Sequence, residues 1–160
     1  MAGTVGHAQQ YYDYFIVLDF EAQCVREKQL FPQEIIEFPA LLVDAKTLET
    51  VSEFHHYVQP TVHTQLTGFC TELTGITQER IDGQPDLPAV LKLFNKWLHQ
   101  HGLLENCESY DAYQTSANGQ ATPSFIMVTC GDWDLMTCLP AQAAYLGVQL
   151  PRYFSKVSKA

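Results

Sequence analysis

The sequence predicts one α/β domain, a mixed β-sheet with helices on its faces. Three observations carry that prediction. Three runs of β-forming residues follow one another before any helical spacing occurs. A strongly amphipathic stretch comes next, opening at Asp86. A short buried run then returns at Phe125 and leads into another helix. The order β-β-β-α-α-β-α suits a mixed sheet covered by helices. A length of 160 residues is that of one domain at about 150 residues each.

Each element has its own signal. Residues 1–11 are small and polar and are expected to be disordered, leaving 12–160 as the domain. Tyr14 to Leu18 is an apolar, β-rich run that enters Asp19-Phe20-Glu21. A polar loop runs from Gln23 to Gln33. Glu34 to Val43 reads as a second strand and Thr47 to Val58 as a third, hairpinned through Asp44-Ala45-Lys46 and stopped by Pro60. Leu66, Phe69, Cys70 and Leu73 have helical spacing, with Gly75 as the stop. Asp82-Gly83 marks a turn. From Asp86, apolar residues recur at three and four positions (Leu87, Val90, Leu91, Phe94, Trp97, Leu98), with Pro88 near the start and Gly102 at the end. Residues 105–123 read as a flexible loop. Phe125 to Cys130 is a strand, and Gly131-Asp132-Trp133-Asp134 turns into a helix that runs to about Tyr145, kinked at Pro140.

Composition narrows the function. Nine basic and 18 acidic residues give a net charge of −9, and the cations are scattered without a basic stripe. That excludes binding of nucleic acid mainly by non-specific attraction to phosphates. It leaves open an enzyme that meets phosphate through metal ions, because ligand carboxylates raise the negative count. No apolar run reaches the ~18 residues of a membrane-spanning helix, so no membrane partner is expected. Met1 to Gln10 carries no secretion signal. The five cysteines (24, 70, 107, 130 and 138) include no CxxC pair. The expected setting is intracellular with reduced thiols, in the cytoplasm, the nucleus or both.

Two acidic motifs carry chemistry. Residues two apart on a strand face the same side, so Asp19 and Glu21 pair at the end of an apolar strand. Two such acids are either solvated groups at a strand end or oxygen ligands of a hard cation such as Mg²⁺ or Mn²⁺. Asp132 and Asp134 follow the later buried strand. Asp132 fits a cap at a helix start, whereas Asp134 is placed to look over the strand ends, where open α/β sheets carry their sites. Taken alone, each motif favours the bland reading. Taken together, two strands that both end in acids fit a two-metal phosphoryl-transfer site.

The motifs also resemble a family. Asp19-Phe20-Glu21-Ala22, Pro32 to Pro39, Leu73-Thr74-Gly75-Ile76 and Gly131-Asp132-Trp133-Asp134 are similar to the Eri-type 3′-to-5′ exoribonucleases, of the DEDDh group of the ribonuclease H-like superfamily. The stretches Val58-Gln59-Pro60 and Leu66 to Ile76, with His63, most resemble its exoribonuclease 3, or prion-interactor, branch. The likeness runs from about Tyr14 to Phe154, with an insertion near 107–123. The resemblance implies a ribonuclease H-like fold and hydrolysis of single-stranded RNA from its 3′ end, with two Mg²⁺ ions (Mn²⁺ substituting) and release of nucleoside 5′-monophosphates. Asp19, Glu21 and Asp134 match its catalytic metal ligands. Ala22, Leu73, Thr74 and Ile76 match the segments that bind the terminal nucleotide. The bland alternative makes Leu73 and Ile76 core residues and Thr74-Gly75 a helix stop. His63, Glu34 and Glu37 read as structural, and Phe94 and Trp97 as core.

Two departures bear on activity. Gln23 stands where the family carries a Thr beside the scissile end. The family also needs a later His-x₄-Asp motif for its general base and fourth acid, yet no Asp, Glu or His follows Asp134. The expectation is a C-terminally truncated product, such as an isoform or fragment, with weak or no activity and with apolar surface left bare. The alternatives are a non-catalytic regulatory isoform that binds RNA or a protein partner, and an unstable product without a function of its own.

Overall fold

The computed structural model describes residues 11–104, 122–155 and 157–159. The expected disordered segment therefore lies outside the described residues except for Tyr11, as does most of the expected 105–123 loop. The strands are β1 (Tyr14–Leu18), β2 (Glu21–Ala22), β3 (Ile35–Asp44), β4 (Thr50–Tyr57), β5 (Phe125–Thr129) and β6 (Val157–Lys159). The α-helices are α1 (Gly68–Thr74), α2 (Gln78–Ile81), α3 (Leu87–Gln100) and α4 (Leu139–Leu146).

The sheet is mixed, as expected. β3 is its long member and pairs antiparallel with β4 on one side. On its other side it pairs antiparallel with β1 and then β2. β1 pairs parallel with β5, and β5 with β6. β1 and β2 are two halves of one line, broken at Asp19-Phe20. β4 begins at Thr50 rather than Thr47, because the Asp44 carboxylate accepts the Lys46 and Thr47 amides at 2.8 and 2.9 Å and holds 44–49 as a loop.

The helices follow their signals. The Asp86 carboxylate caps α3 by accepting the Ala89 amide at 3.0 Å. α3 lays Phe94 and Trp97 against Phe38 and Phe54 of the sheet, with ring centroids 4.8–5.7 Å apart. The main core joins these rings to Ile16, Leu18, Leu42 and Met127, and Phe94 is fully buried. α1 ends at Gly75, whose φ of 74° is the left-handed value that glycine adopts without strain. α2 is an element the spacing analysis did not anticipate. The helix after β5 differs in kind from the expected one. Trp133–Cys138 is a π-helix, with the Leu139 amide donating to the Asp134 carbonyl five residues back, before α4 begins. Pro140, in the first turn of α4, has no amide hydrogen for the preceding turn, so the change of winding falls there.

Candidate active site

The candidate site forms where the line of β1 breaks. Leu18 and Phe20 turn into the core, and the Phe20 ring stands edge-on to Phe38 at 4.6 Å. Asp19 between them is exposed, and Glu21 beyond is half-buried. The Asp19 and Glu21 carboxylates thus leave on the side away from Phe20. The break frees the Phe20 amide from the sheet ladder, and it donates to Asp134 Oδ1 at 2.7 Å. This bond pins the π-helix over the end of β1 and brings the third acid to the other two.

The three acids act on one another's charge. Burial pushes the Glu21 carboxyl up, and the charges of Asp19, Glu37 and Asp134 push it further. Burial likewise raises Asp134, against the lowering effect of the Phe20 bond, and Asp19 adds to the rise. The proximity of Asp19, Glu21 and Asp134 was expected from the sequence; that of Glu37 was not. It stands opposite Glu21 in the β2–β3 register, and its carboxylate accepts from His55 Nε2 at 2.6 Å.

Among the described residues, no three His, Cys, Asp or Glu side chains form a group ready to hold one metal ion. The donors are nonetheless of the right kind. They are carboxylates, two of which, Glu21 and Asp134, are held above their ordinary proton affinity by burial and like charge, and such groups gain by neutralisation. Mg²⁺ commonly takes one or two protein carboxylates and fills its shell with water and substrate phosphate. The chain's acids fit that role.

The residues matched to the nucleotide pocket divide. Leu73 is 67% exposed at the end of α1, so the core alternative fails for it. Ile76 is buried with Ile36, Cys70 and Ile81, so the core alternative holds there. The Thr74 hydroxyl donates to the Cys70 carbonyl at 2.8 Å and accepts the Ile76 amide at 3.1 Å. It is occupied in closing the helix end. Ala22 is buried, and its carbonyl lies 3.9 Å from Cys70 Sγ, which fastens β2 to α1.

Three other residues are structural. Gln23 is buried and donates its amide hydrogens to the carbonyls of His63 and Gln65. It turns away from the acids, so it does not occupy the place of a hydroxyl beside a scissile bond. Buried Glu34 accepts the Thr61, Val62 and His63 amides at 2.7–3.0 Å. The His63 ring meets the Phe31 carbonyl at 3.3 Å. Sequence reasoning missed the line from Glu37 and His55 to Tyr57 and Arg80. Its only signal was the register of a hairpin whose bulge, between Leu42 and Val43, spacing does not reveal.

Comparison with known proteins agrees with this geometry. The exonuclease family model (RNase_T) matches residues 16–118. Human ERI1 exoribonuclease 3 is 49% identical over 157 residues, which are 98% of this chain and 42% of that protein. The 3′-5′ exonuclease Snipper of Drosophila melanogaster is 38% identical, covering 93% of this chain and 53% of its own length. The chain thus spans about half or less of these relatives. Among solved structures, the nuclease domain of 3′hExo, a DEDDh family member bound to rAMP, superposes with a TM-score of 0.76 at 34% identity, over 91% of this chain and 66% of that one. A 3′-exonuclease recognising the 3′ end of a histone mRNA stem-loop gives 0.78 at 32% identity, over 94% and 47%. The fold is the ribonuclease H-like fold of these nucleases.

Proposed function

The chain belongs to the exonuclease family that matches it across residues 16–118, and from that premise we propose that it carries the substrate-facing part of a 3′-to-5′ exoribonuclease site. The observation that carries this reading is the 2.7 Å bond from the Phe20 amide to Asp134 Oδ1, which brings the third acid to the residue between Asp19 and Glu21 at the end of β1. The family depends on divalent metal, and Asp19, Glu21 and Asp134 are the residues that would hold it, as Mg²⁺ or Mn²⁺. A divalent ion there supplies the Lewis acidity that activates water and steadies the leaving oxygen of a phosphodiester.

The chain's own residues do the rest of the work in this reading. The Phe20 amide fixes Asp134, and the crowded acids repel a bare phosphate until they are neutralised. Leu73, exposed on α1, offers the terminal nucleotide an apolar contact, while Thr74 and Ile76 set the turn that presents it. Ala22 forms the floor between the acids and α1. The ligands are a single-stranded RNA 3′ end or a nucleoside 5′-monophosphate. The setting is intracellular, consistent with free thiols at Cys24, Cys70, Cys130 and Cys138.

A second reading rests on a specific observation: among the described residues no three His, Cys, Asp or Glu side chains stand grouped to hold one metal ion. In this reading the chain engages RNA or a protein without cleaving it. One assay separates the readings. The purified chain is incubated with 5′-labelled single-stranded RNA and Mn²⁺ or Mg²⁺, beside Asp19→Ala/Glu21→Ala. Metal-dependent shortening by the parent alone supports the catalytic reading. Binding without shortening supports the second. Neither binding nor shortening rejects both.

A further inference from the structure

Resting on that reading, the geometry points to a second substrate contact, in which Arg80, held by Tyr57, takes a phosphodiester of the RNA strand upstream of the terminal nucleotide. The placement follows from the sheet register. Glu21 stands opposite Glu37, and Glu37 opposite Tyr57. Directly opposed residues share a face, so Tyr57 lies on the face of the candidate acids. Two strand spacings separate it from Glu21, about 10 Å. The next phosphates along a single strand reach that far.

The Tyr57 ring packs on the small cluster of Ile36, Cys70, Ile76 and Ile81. It therefore shares a cluster with Ile76, the buried end of the Leu73–Ile76 segment. Its hydroxyl accepts a hydrogen bond from an Arg80 guanidinium nitrogen at 2.8 Å, and the guanidinium carbon lies 5.8 Å from the ring centroid. Tyr57 thereby fixes the orientation of a long, exposed side chain. Among the described residues Arg80 belongs to no ion pair, whereas Arg26, the cation beside Phe69, is 3.8 Å from Glu72. A guanidinium has five donors in a planar fork suited to phosphate, and Tyr57 uses one. In a chain of net charge −9, a cation pre-oriented on Tyr57, two strands from Glu21 and without a carboxylate partner among the described residues, is placed for an anionic strand.

The test compares a short ligand with a long one. Binding of AMP and of a fluorescent eight-nucleotide single-stranded RNA is measured in Ca²⁺, across a salt series, for the parent chain, Arg80→Gln, Tyr57→Phe and Arg26→Gln. For Arg80→Gln, RNA binding is expected to weaken about tenfold at low salt. Its log–log salt slope should flatten by about 0.7, with AMP binding unchanged. For Tyr57→Phe the RNA loss is smaller, again without an effect on AMP. Arg26→Gln is expected to leave the slope in place. RNA binding by Arg80→Gln equal to the parent overturns the inference and leaves the proposed function standing. So does an equal loss in Arg26→Gln, which marks general electrostatics, or a parallel loss of AMP. Failure of the parent to bind either ligand overturns both readings.

Discussion

Glu21 and Asp134 carry charge where burial and neighbours oppose it. Their folded-state affinities for protons exceed those of the unfolded chain. The stability they contribute is therefore fully present below the ordinary carboxylate pKa and is lost as pH rises through the raised values. Asp13 works in the opposite sense. Ser124 hydrogen bonds lower it, so its contribution is present above its unfolded pKa and lost as pH falls. Asp19→Asn removes a repelling charge from both Glu21 and Asp134 and leaves Asp13 alone. In EDTA its melting temperature should equal or exceed the parent's, with an advantage that grows as pH rises. Saturating Mg²⁺ should stabilise the parent more than the variant. A sharp drop of the variant's melting temperature in EDTA would show that Asp19 is a structural anchor. The thiols supply a second check. Burial pushes Cys138 up to about 12 and Cys24 up to about 11, while Cys130 is exposed. Since the thiolate is the reactive form, iodoacetamide at pH 8 should label Cys130 at least about tenfold faster than Cys24, Cys70 or Cys138. Peptide mass spectrometry reads the order, and comparable labelling of Cys138 would mean that the π-helix opens readily.

The loop after β4 hangs on one buried carboxylate. Glu34 takes three consecutive amides, from Thr61 to His63. Glu34→Gln replaces one acceptor oxygen with a donor that faces an amide donor. The expected cost is about 2–3 kcal/mol, or a fall of about 5–10 °C in a domain of this size. A melting temperature within a degree of the parent's would show that water replaces the nest. Most elements were legible in the sequence because each has a local cause: alternation in β3, a carboxylate cap and three-four spacing in α3, a left-handed glycine after α1. The acids Asp19, Glu21 and Asp134 were legible because strands end at them. What escaped depends on non-local geometry. The π-helix arises from one amide reaching a residue further back, which apolar spacing does not encode. The proximity of Glu37, His55, Tyr57 and Arg80 to the acids depends on cross-strand register, where a slip of one residue moves every side chain to the other face. Leu73, apolar and correctly spaced for a core helix, is exposed because α1 ends one residue later and the chain turns at Gly75.

At the scale of the whole molecule, the two sheet faces differ. Phe38, Phe54 and Met127 face the core beneath α3. The opposite face carries Phe15, Val17, Leu41, Val43, Ile126 and Val128, set side by side by the β3–β1–β5 register. Val17 and Leu41, directly opposed, are each 38% exposed, and the other four are half-buried. α/β domains cover both faces of such a sheet, and a contiguous exposed apolar patch binds whatever apolar surface it meets. The native chain should therefore enhance the fluorescence of a dye for apolar surfaces well below its melting transition. Val17→Thr with Leu41→Lys should cut that signal by about half or more, since the two residues are the most exposed of the patch. Their side chains lie outside the core cluster, so the melting temperature should move by no more than a few degrees, as for surface substitutions. Urea titration distinguishes a covered face from a loose core. If the double variant loses both the dye signal and much of its midpoint, the face is packed in solution and the patch does not exist as described. If the signal persists unchanged, the dye reports a mobile interior rather than this patch.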